Sequence, residues 1–317
     1  MPEPDLDLLV LGDCNPDLVL HGGSVEPAYG QAERVVESAD LTIGGSGAIA
    51  ACGAARLGLR TAIVGVLGDD EFGRFMVRAL RERGVETAGL VVDTGARTGI
   101  SVILARDEDR AILTFPGAIA ALEPGAIDSV LLARPRHVHI SSFFLQTALA
   151  PGLGPVLREV RRRGGTTSID PNWDPSERWD GGLRELLEDV DVLLPNAVEA
   201  VRLAGGGDPL AAAQRLADCG PLVAVKLGAD GALAARTGAD PVRVRAPSVP
   251  AALDAVGAGD SFDAGVLAAL LDAQSVERAL ALGCACGALS TRAIGGTAAQ
   301  PTLAEALEAL GEVERTA

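Results

Sequence analysis

Residues 254–265 read Asp-Ala-Val-Gly-Ala-Gly-Asp-Ser-Phe-Asp-Ala-Gly. Gly257, Ala258 and Gly259 let the backbone approach a ligand closely, and Asp260 places a carboxylate directly after them. Phe262, Val266, Leu267 and Leu270 repeat at helical spacing, which predicts a helix starting here with its apolar face inward. The first turn of a helix has N–H groups without intrahelical acceptors and the positive end of the dipole. That is a place for phosphate oxygens. A carboxylate there repels phosphate, and general-base removal of a proton from an attacking hydroxyl is the chemistry that gives it a use. A bare Gly-x-Gly-Asp is also an ordinary turn with an aspartate cap, so the rest of the chain has to decide.

The elements that would position this stretch can be read in order. Leu6 to Leu11 is an apolar run that predicts a buried strand, followed by Asp13, Asn15 and Asp17. Residues 18–41 read as irregular or lightly stranded. Gly44-Gly45-Ser46-Gly47 then opens a small-residue helix that ends near Gly58. Thr61 to Leu67 predicts a strand, and a helix through Met76 and Leu80 follows. Thr98 to Leu104 and Ala111 to Phe115 form a hairpin signature around the charged turn 105–110. Further strands are expected at 137–140, 166–169, 190–194 and 222–225, with Ala232 to Ala235 as the second arm of a hairpin. Strand and helix alternate over most of the chain, which means an α/β layered, largely parallel sheet. Asp17, Asp69, Asp170, Asn196, Lys226 and Asp260 follow strands or open helices. In such a sheet that is the ligand rim.

Composition narrows the function. The 317 residues are 48% hydrophobic with mean hydropathy +0.27, so the chain can bury a core and is not disordered. A net charge of −16 argues against nucleic acid as a partner, since its phosphates need a basic footprint. No apolar run is long enough to span a bilayer, and Met1-Pro-Glu-Pro-Asp5 does not read as a signal peptide. Five cysteines, two of them as Cys284-Ala-Cys286, are too few and scattered for a disulfide framework. A reduced, cytoplasmic enzyme is the expectation. His137-x-His139 reads as strand residues in the absence of a third ligand, and Arg161 to Arg163 as a solvated helix end. Lys226 is the only lysine.

Five motifs stand in order: Gly44-Gly45, Gly65-x-Leu-Gly-Asp-Asp-x-Phe-Gly73, Asn196-x-x-Glu199, Lys226-x-Gly-x-x-Gly231 and Asp254-x-x-Gly-Ala-Gly-Asp-x-Phe262. Together they resemble the ribokinase-like sugar kinases, the PfkB carbohydrate kinase family, over nearly the whole chain. The resemblance implies a three-layer α/β sandwich with a mostly parallel central sheet and a small β lid. The α/β core would be 1–12, 42–94 and 116–317, and the lid 13–41 and 95–115. It implies an ATP- and Mg2+-dependent kinase acting on a hydroxyl, usually primary, of a sugar or nucleoside. Asp260 would be the base, and Gly257, Ala258 and Gly259 the anion hole. Asn15, Asp17, Gly44 and Gly45 would bind the sugar; Asn196, Lys226, Gly228 and Gly231 the nucleotide. Glu199 would organise Mg2+ through water, and Asp254 would help hold a monovalent cation such as K+. The lid would pair two subunits as a homodimer.

Phosphoryl transfer asks mainly for positioning and charge stabilisation, which this set supplies. No Gly-x-x-x-x-Gly-Lys-Ser/Thr loop is present, so a P-loop mechanism is excluded. Two positions depart from the family pattern. Ile49 stands where Asn is common, which leaves room for a larger or less polar substrate. Asp170-Pro-Asn-Trp-Asp174 lacks the usual Arg, which disfavours acid sugars, although Arg97 or Arg110 could substitute from the lid. A nucleoside kinase is the alternative within the fold, with Phe115, Phe143, Phe144 and Trp173 as the aromatics for a base. A non-catalytic sugar or nucleotide sensor is the alternative outside it, disfavoured by the intact Asp260 and glycines.

Overall fold

The computed structural model describes residues 4–23, 25–106, 109–249 and 252–316. An eight-stranded sheet runs, from one edge, Val242–Val244, Ala232–Ala235, Leu222–Lys226, Val192–Leu193, Thr166–Ile169, Pro135–Ile140, Leu6–Leu11 and Thr61–Val64. The first two pair antiparallel with their neighbours, and the other six strands are parallel. All six residues of Leu6–Leu11 are buried. Leu9 and Leu11 enter one apolar cluster, Leu8 and Val10 the other. A strand buried on both faces has to be apolar throughout, which is why it reads as a run and not as an alternation.

Thr61 to Leu67 is not one strand. It breaks at Gly65, and Val66–Gly68 leaves the large sheet to pair with Val91–Asp93. A Cβ at Gly65 would lie 2.7 Å from the Gly12 carbonyl oxygen, so the chain passes closer there than a side chain allows. The strands at the two ends of the segment 18–41 join a sheet. Asn15–His21 and Ser38–Gly44 pair antiparallel, and with Ile100–Arg106 and Asp109–Phe115 they build a second, four-stranded sheet. Its strand Ser38–Gly44 runs past the expected lid boundary at residue 41. Residues 107 and 108 of the charged turn, and the Arg110 side chain, lie outside the described residues.

Helix packing sets the position of Asp260. The helix Ala258–Leu271 lies against Val276–Ser290 so closely that a Cβ on Gly265 would be 2.9 Å from the Gly283 Cα. The same helix meets Ser46–Arg56, where a Cβ on Gly53 would be 3.1 Å from the Ala264 Cβ. The scarcity of aromatic residues and abundance of Ala and Gly thus buy short interaxial distances. His137 and His139 are strand residues: their rings bond Thr166 and Ser168 hydroxyls at 2.7 Å. Burial pulls their pKa values down to about 3 and about 4, so both are neutral. Among the described residues no helix is long and apolar enough to cross a membrane.

Candidate active site

Gly257 caps the helix Ala258–Leu271 at φ 71°, in the left-handed region, without a side-chain cap bond. Ala258 N–H donates to the Ala255 carbonyl and Ser261 N–H to Gly257. The Gly259 and Asp260 N–H groups belong to the first turn and have no intrahelical acceptor. A Cβ on Gly257 would lie 2.7 Å from the Gly296 Cα and 2.9 Å from Ile49 Cγ2. Asp254 ties the approach: its carboxylate accepts from Val256 N–H at 2.9 Å and Gly295 N–H at 2.8 Å. Ile49, expected to leave room for substrate, is 3% exposed. Its side chain packs under Gly257 and Gly296, so it supports the turn.

Asp260 sits in that turn, 8% exposed. Burial raises its pKa well above the usual carboxylate range and Asp170 adds to this, while Lys226 and Ser46 pull the other way. Ser46 is itself fixed by Asp13, which accepts from the Ser46 N–H at 3.0 Å and the Gly47 N–H at 2.9 Å. A carboxylate with a raised pKa is a better proton acceptor when ionised.

Asn15, Asp17, Gly44 and Gly45 come together because Asn15–His21 pairs with Ser38–Gly44, placing Asn15 opposite Gly44 and Asp17 opposite Thr42. A Cβ on Gly44 would overlap the Asp17 carboxylate, and one on Gly45 would meet Asn15 Oδ1 at 2.9 Å. Both glycines therefore make room for the polar pair. Asn15 Nδ2 donates to Asp17 Oδ1 at 3.4 Å. Burial, then Asp13 and Asp254, push Asp17 up to about 7. If Asp17 accepts sugar hydroxyls as a carboxylate, it must lose its proton first. The KM for the sugar is expected to fall as pH rises through about 7, and in Asp17→Asn that dependence should vanish. A flat KM from pH 6 to 8 in the parent protein would remove Asp17 from the sugar contacts.

Asn196 and Glu199 form a capping box at the helix Ala197–Leu203. Glu199 Oε2 accepts from the Asn196 N–H at 2.8 Å, and Oε1 from Nδ2 at 2.5 Å. Glu199 is 4% exposed; burial and then Asp170 raise it to about 7, against Lys226. Gly228 and Gly231 both have positive φ in the turn between Leu222–Lys226 and Ala232–Ala235, and a Cβ on Gly231 would overlap the Val244 carbonyl oxygen.

Lys226, expected from the resemblance to reach the nucleotide, has its side chain only 12% exposed and turned inward. Its Nζ lies 3.0 Å from Asp170 Oδ2 and 3.0 and 3.1 Å from the Asp263 oxygens. Asp263 and Ser46 join the site without having been expected there from the sequence. The signal was available: Asp263 is three residues after Asp260 on one helix face, and Ser46 follows Gly45. Asn172 also joins the site, donating to Ser142 Oγ at 3.0 Å and Ser46 Oγ at 3.3 Å. Asp174, where an Arg is usual, is spent on its own loop, accepting from Ser176 and Trp179 N–H groups. Of the strand-end group, Asp69 does not join: it is exposed and paired with Arg74. Phe143 and Phe144 are buried in the core; Phe115 and Trp173 remain half exposed.

A two-layer-covered parallel sheet, a second small sheet beside the first strand's end, and a buried aspartate in a glycine-opened helix turn define a phosphotransferase of the ribokinase fold. The profile of the pfkB family carbohydrate kinases matches residues 5–303. The chain is 33% identical over 294 residues to an ATP-dependent ribose-1-phosphate kinase of Halopiger xanaduensis, covering 92% of this chain and 94% of that one. It is 30% identical over 291 residues to fructokinase-2 of Solanum lycopersicum, covering 84% and 86%. A solved Escherichia coli structure described as a ribokinase II, in complex with ATP and Mg2+, superposes with TM-score 0.85 at 24% identity over 97% of this chain and 99% of that chain. The chain belongs to the pfkB family of carbohydrate kinases.

Proposed function

We infer that the protein transfers the terminal phosphoryl group of ATP to a hydroxyl of a sugar, with Asp260 taking the hydroxyl proton. The observation that carries this is the position of Asp260: buried, raised in pKa, and in the same turn as the Gly259 and Asp260 amides, which have no intrahelical acceptor. Asn15 and Asp17 would hold the sugar hydroxyls, and Gly44 and Gly45 would let them approach. The turn at Gly257–Gly259 would receive the transferred phosphoryl oxygens, whose growing charge preorganised N–H groups stabilise without reorganising.

Mg2+ bound with the nucleotide supplies charge neutralisation at its phosphates. Glu199 fits a role through water, since each oxygen already accepts one N–H and keeps a second lone pair. Asn196, Gly228 and Gly231 would border the nucleotide through the turn and helix start they shape. Asp254 fits a monovalent cation less clearly, because its carboxylate already anchors Val256 and Gly295. Equal rates in K+ and in Na+ would leave it with the anchoring use alone.

ADP release measured across fructose, ribose, ribose 1-phosphate, acid sugars and nucleosides tests the reading. Phosphorylation of one or more sugars is expected. Release with nucleosides alone would shift it to a nucleoside kinase, although two of the four aromatics considered for a base are committed to the core. Tight sugar binding with no ADP release would make it a sensor. A second copy of the chain is the partner proposed for the lid, where Leu41, Ile112, Leu113 and Phe115 are 40%, 51%, 61% and 49% exposed. Sedimentation is expected to give a dimer that Leu113→Arg splits; a monomeric parent protein would end that proposal.

A further inference from the structure

Lys226 stands apart from every other basic residue of the chain. It is the only lysine among 27 basic residues, and its Nζ is within 3.1 Å of two carboxylates that are themselves buried, Asp170 and Asp263. Oxygen atoms of Asp170, Asp260 and Asp263 lie within 4.8 Å of one another. A Cβ on Gly259, next to Asp260, would meet Nζ at 3.6 Å. Three carboxylates from a strand end and one helix turn therefore converge, and an ammonium from Leu222–Lys226, two strands along the sheet, stands among them. Burying three carboxylates together is costly unless a cation compensates them.

We propose that Lys226 is a positioning residue for Asp260: its ammonium supplies, from within the chain, the cation that the Asp170–Asp260–Asp263 cluster requires. This rests on Asp260 being the base. The groups facing the ammonium are Asp170 at the end of Thr166–Ile169, Asp260 and Asp263 on Ala258–Leu271, Glu199 on Ala197–Leu203, and neutral His139 on the adjoining strand. Asp13 also acts on Asp260 and raises its pKa. Burial opposes the charge on Lys226, but Asp170, Asp263, Glu199 and Asp260 together outweigh it, so the amine stays protonated through neutral pH. Asp170 is ionised beside it, burial notwithstanding. With the ammonium removed, Asp260 would face the Asp170 charge uncompensated and would hold its proton to higher pH. The ammonium also explains why the lysine side chain is turned away from solvent.

The test has two arms. In Lys226→Met the acid limb of kcat/KM for the sugar is expected to move up by about 1–3 pH units, the shift typical of losing one close opposite charge, with the KM for ATP within threefold of the parent. A limb that stays in place while the ATP KM rises tenfold or more would make Lys226 a nucleotide contact and overturn the proposal. A limb that stays in place with only a lower Tm would make it a packing ion pair and overturn it equally. The second arm uses the parent protein and cannot fail through misfolding. Selectively labelled lysine gives a single side-chain resonance in this chain. Its shift is expected to follow the same titration as the acid limb, to lose that titration in Asp260→Asn, and to be unmoved by ATP. A resonance blind to pH but displaced by ATP would overturn the proposal. Turnover persisting in Asp260→Asn would instead overthrow the base, and the resonance would still decide whether Lys226 and Asp260 are coupled.

Discussion

Asp260→Asn is expected to lower kcat by at least ~10²–10⁴-fold, the range for a lost general base, while the protein keeps its fold and binds both substrates. The amide is nearly isosteric and cannot take a proton. Burial disfavours the charge of Asp260 in the parent protein, so neutralising it should not destabilise the chain. The sign follows from linkage. A carboxylate whose folded pKa is raised stabilises the fold most below its unfolded pKa, near the ordinary 3.8, and that contribution is lost as pH rises through the raised value. Asp260→Asn should therefore be at least as stable as the parent at pH 8. A folded variant turning over at the parent's rate would remove Asp260 from the chemistry.

The second large effect is expected from Gly257→Ala. The left-handed backbone there costs a residue with a Cβ about 1–2 kcal/mol, and the added methyl would press on Gly296 and Ile49 at 2.7 and 2.9 Å. The turn can relieve that only by moving, and the Gly259 and Asp260 amides move with it. Displacing one preorganised donor costs about 10²–10³-fold in kcat. The sugar KM should change by only a fewfold, since Asn15 and Asp17 stand on a different sheet. Steady-state kinetics beside a thermal melt separate the possibilities. A lower Tm with unchanged kcat would mean that the turn is structural and receives no charge.

Much of the site was legible because its residues follow strands. Asp13, Asp170 and Lys226 stand just past or at strand ends, and Asp260 opens a helix, so a parallel sheet gathers them on one rim. The antiparallel strand Ser38–Gly44 was not legible, because Leu41 and Ile43 alternate with polar residues over too short a span to mark its start. The break at Gly65 was hidden for the opposite reason. Apolar residues on both sides of it read as one run, and only the close pass of Gly12 and the pairing with Val91–Asp93 divide them.

Residue order alone determined the α/β alternation, the glycine-opened turn ahead of an aspartate and the family to which the chain belongs. Those are local matters of backbone freedom, helical spacing and strand hydrophobicity. Only the tertiary structure decided where Lys226 points. Its sequence neighbours, Leu227 and Gly228, carry no charge, whereas its partners lie 56 and 37 residues away. Charges brought together by a fold choose one another by distance in space, and three buried carboxylates leave a lone ammonium little reason to face the solvent.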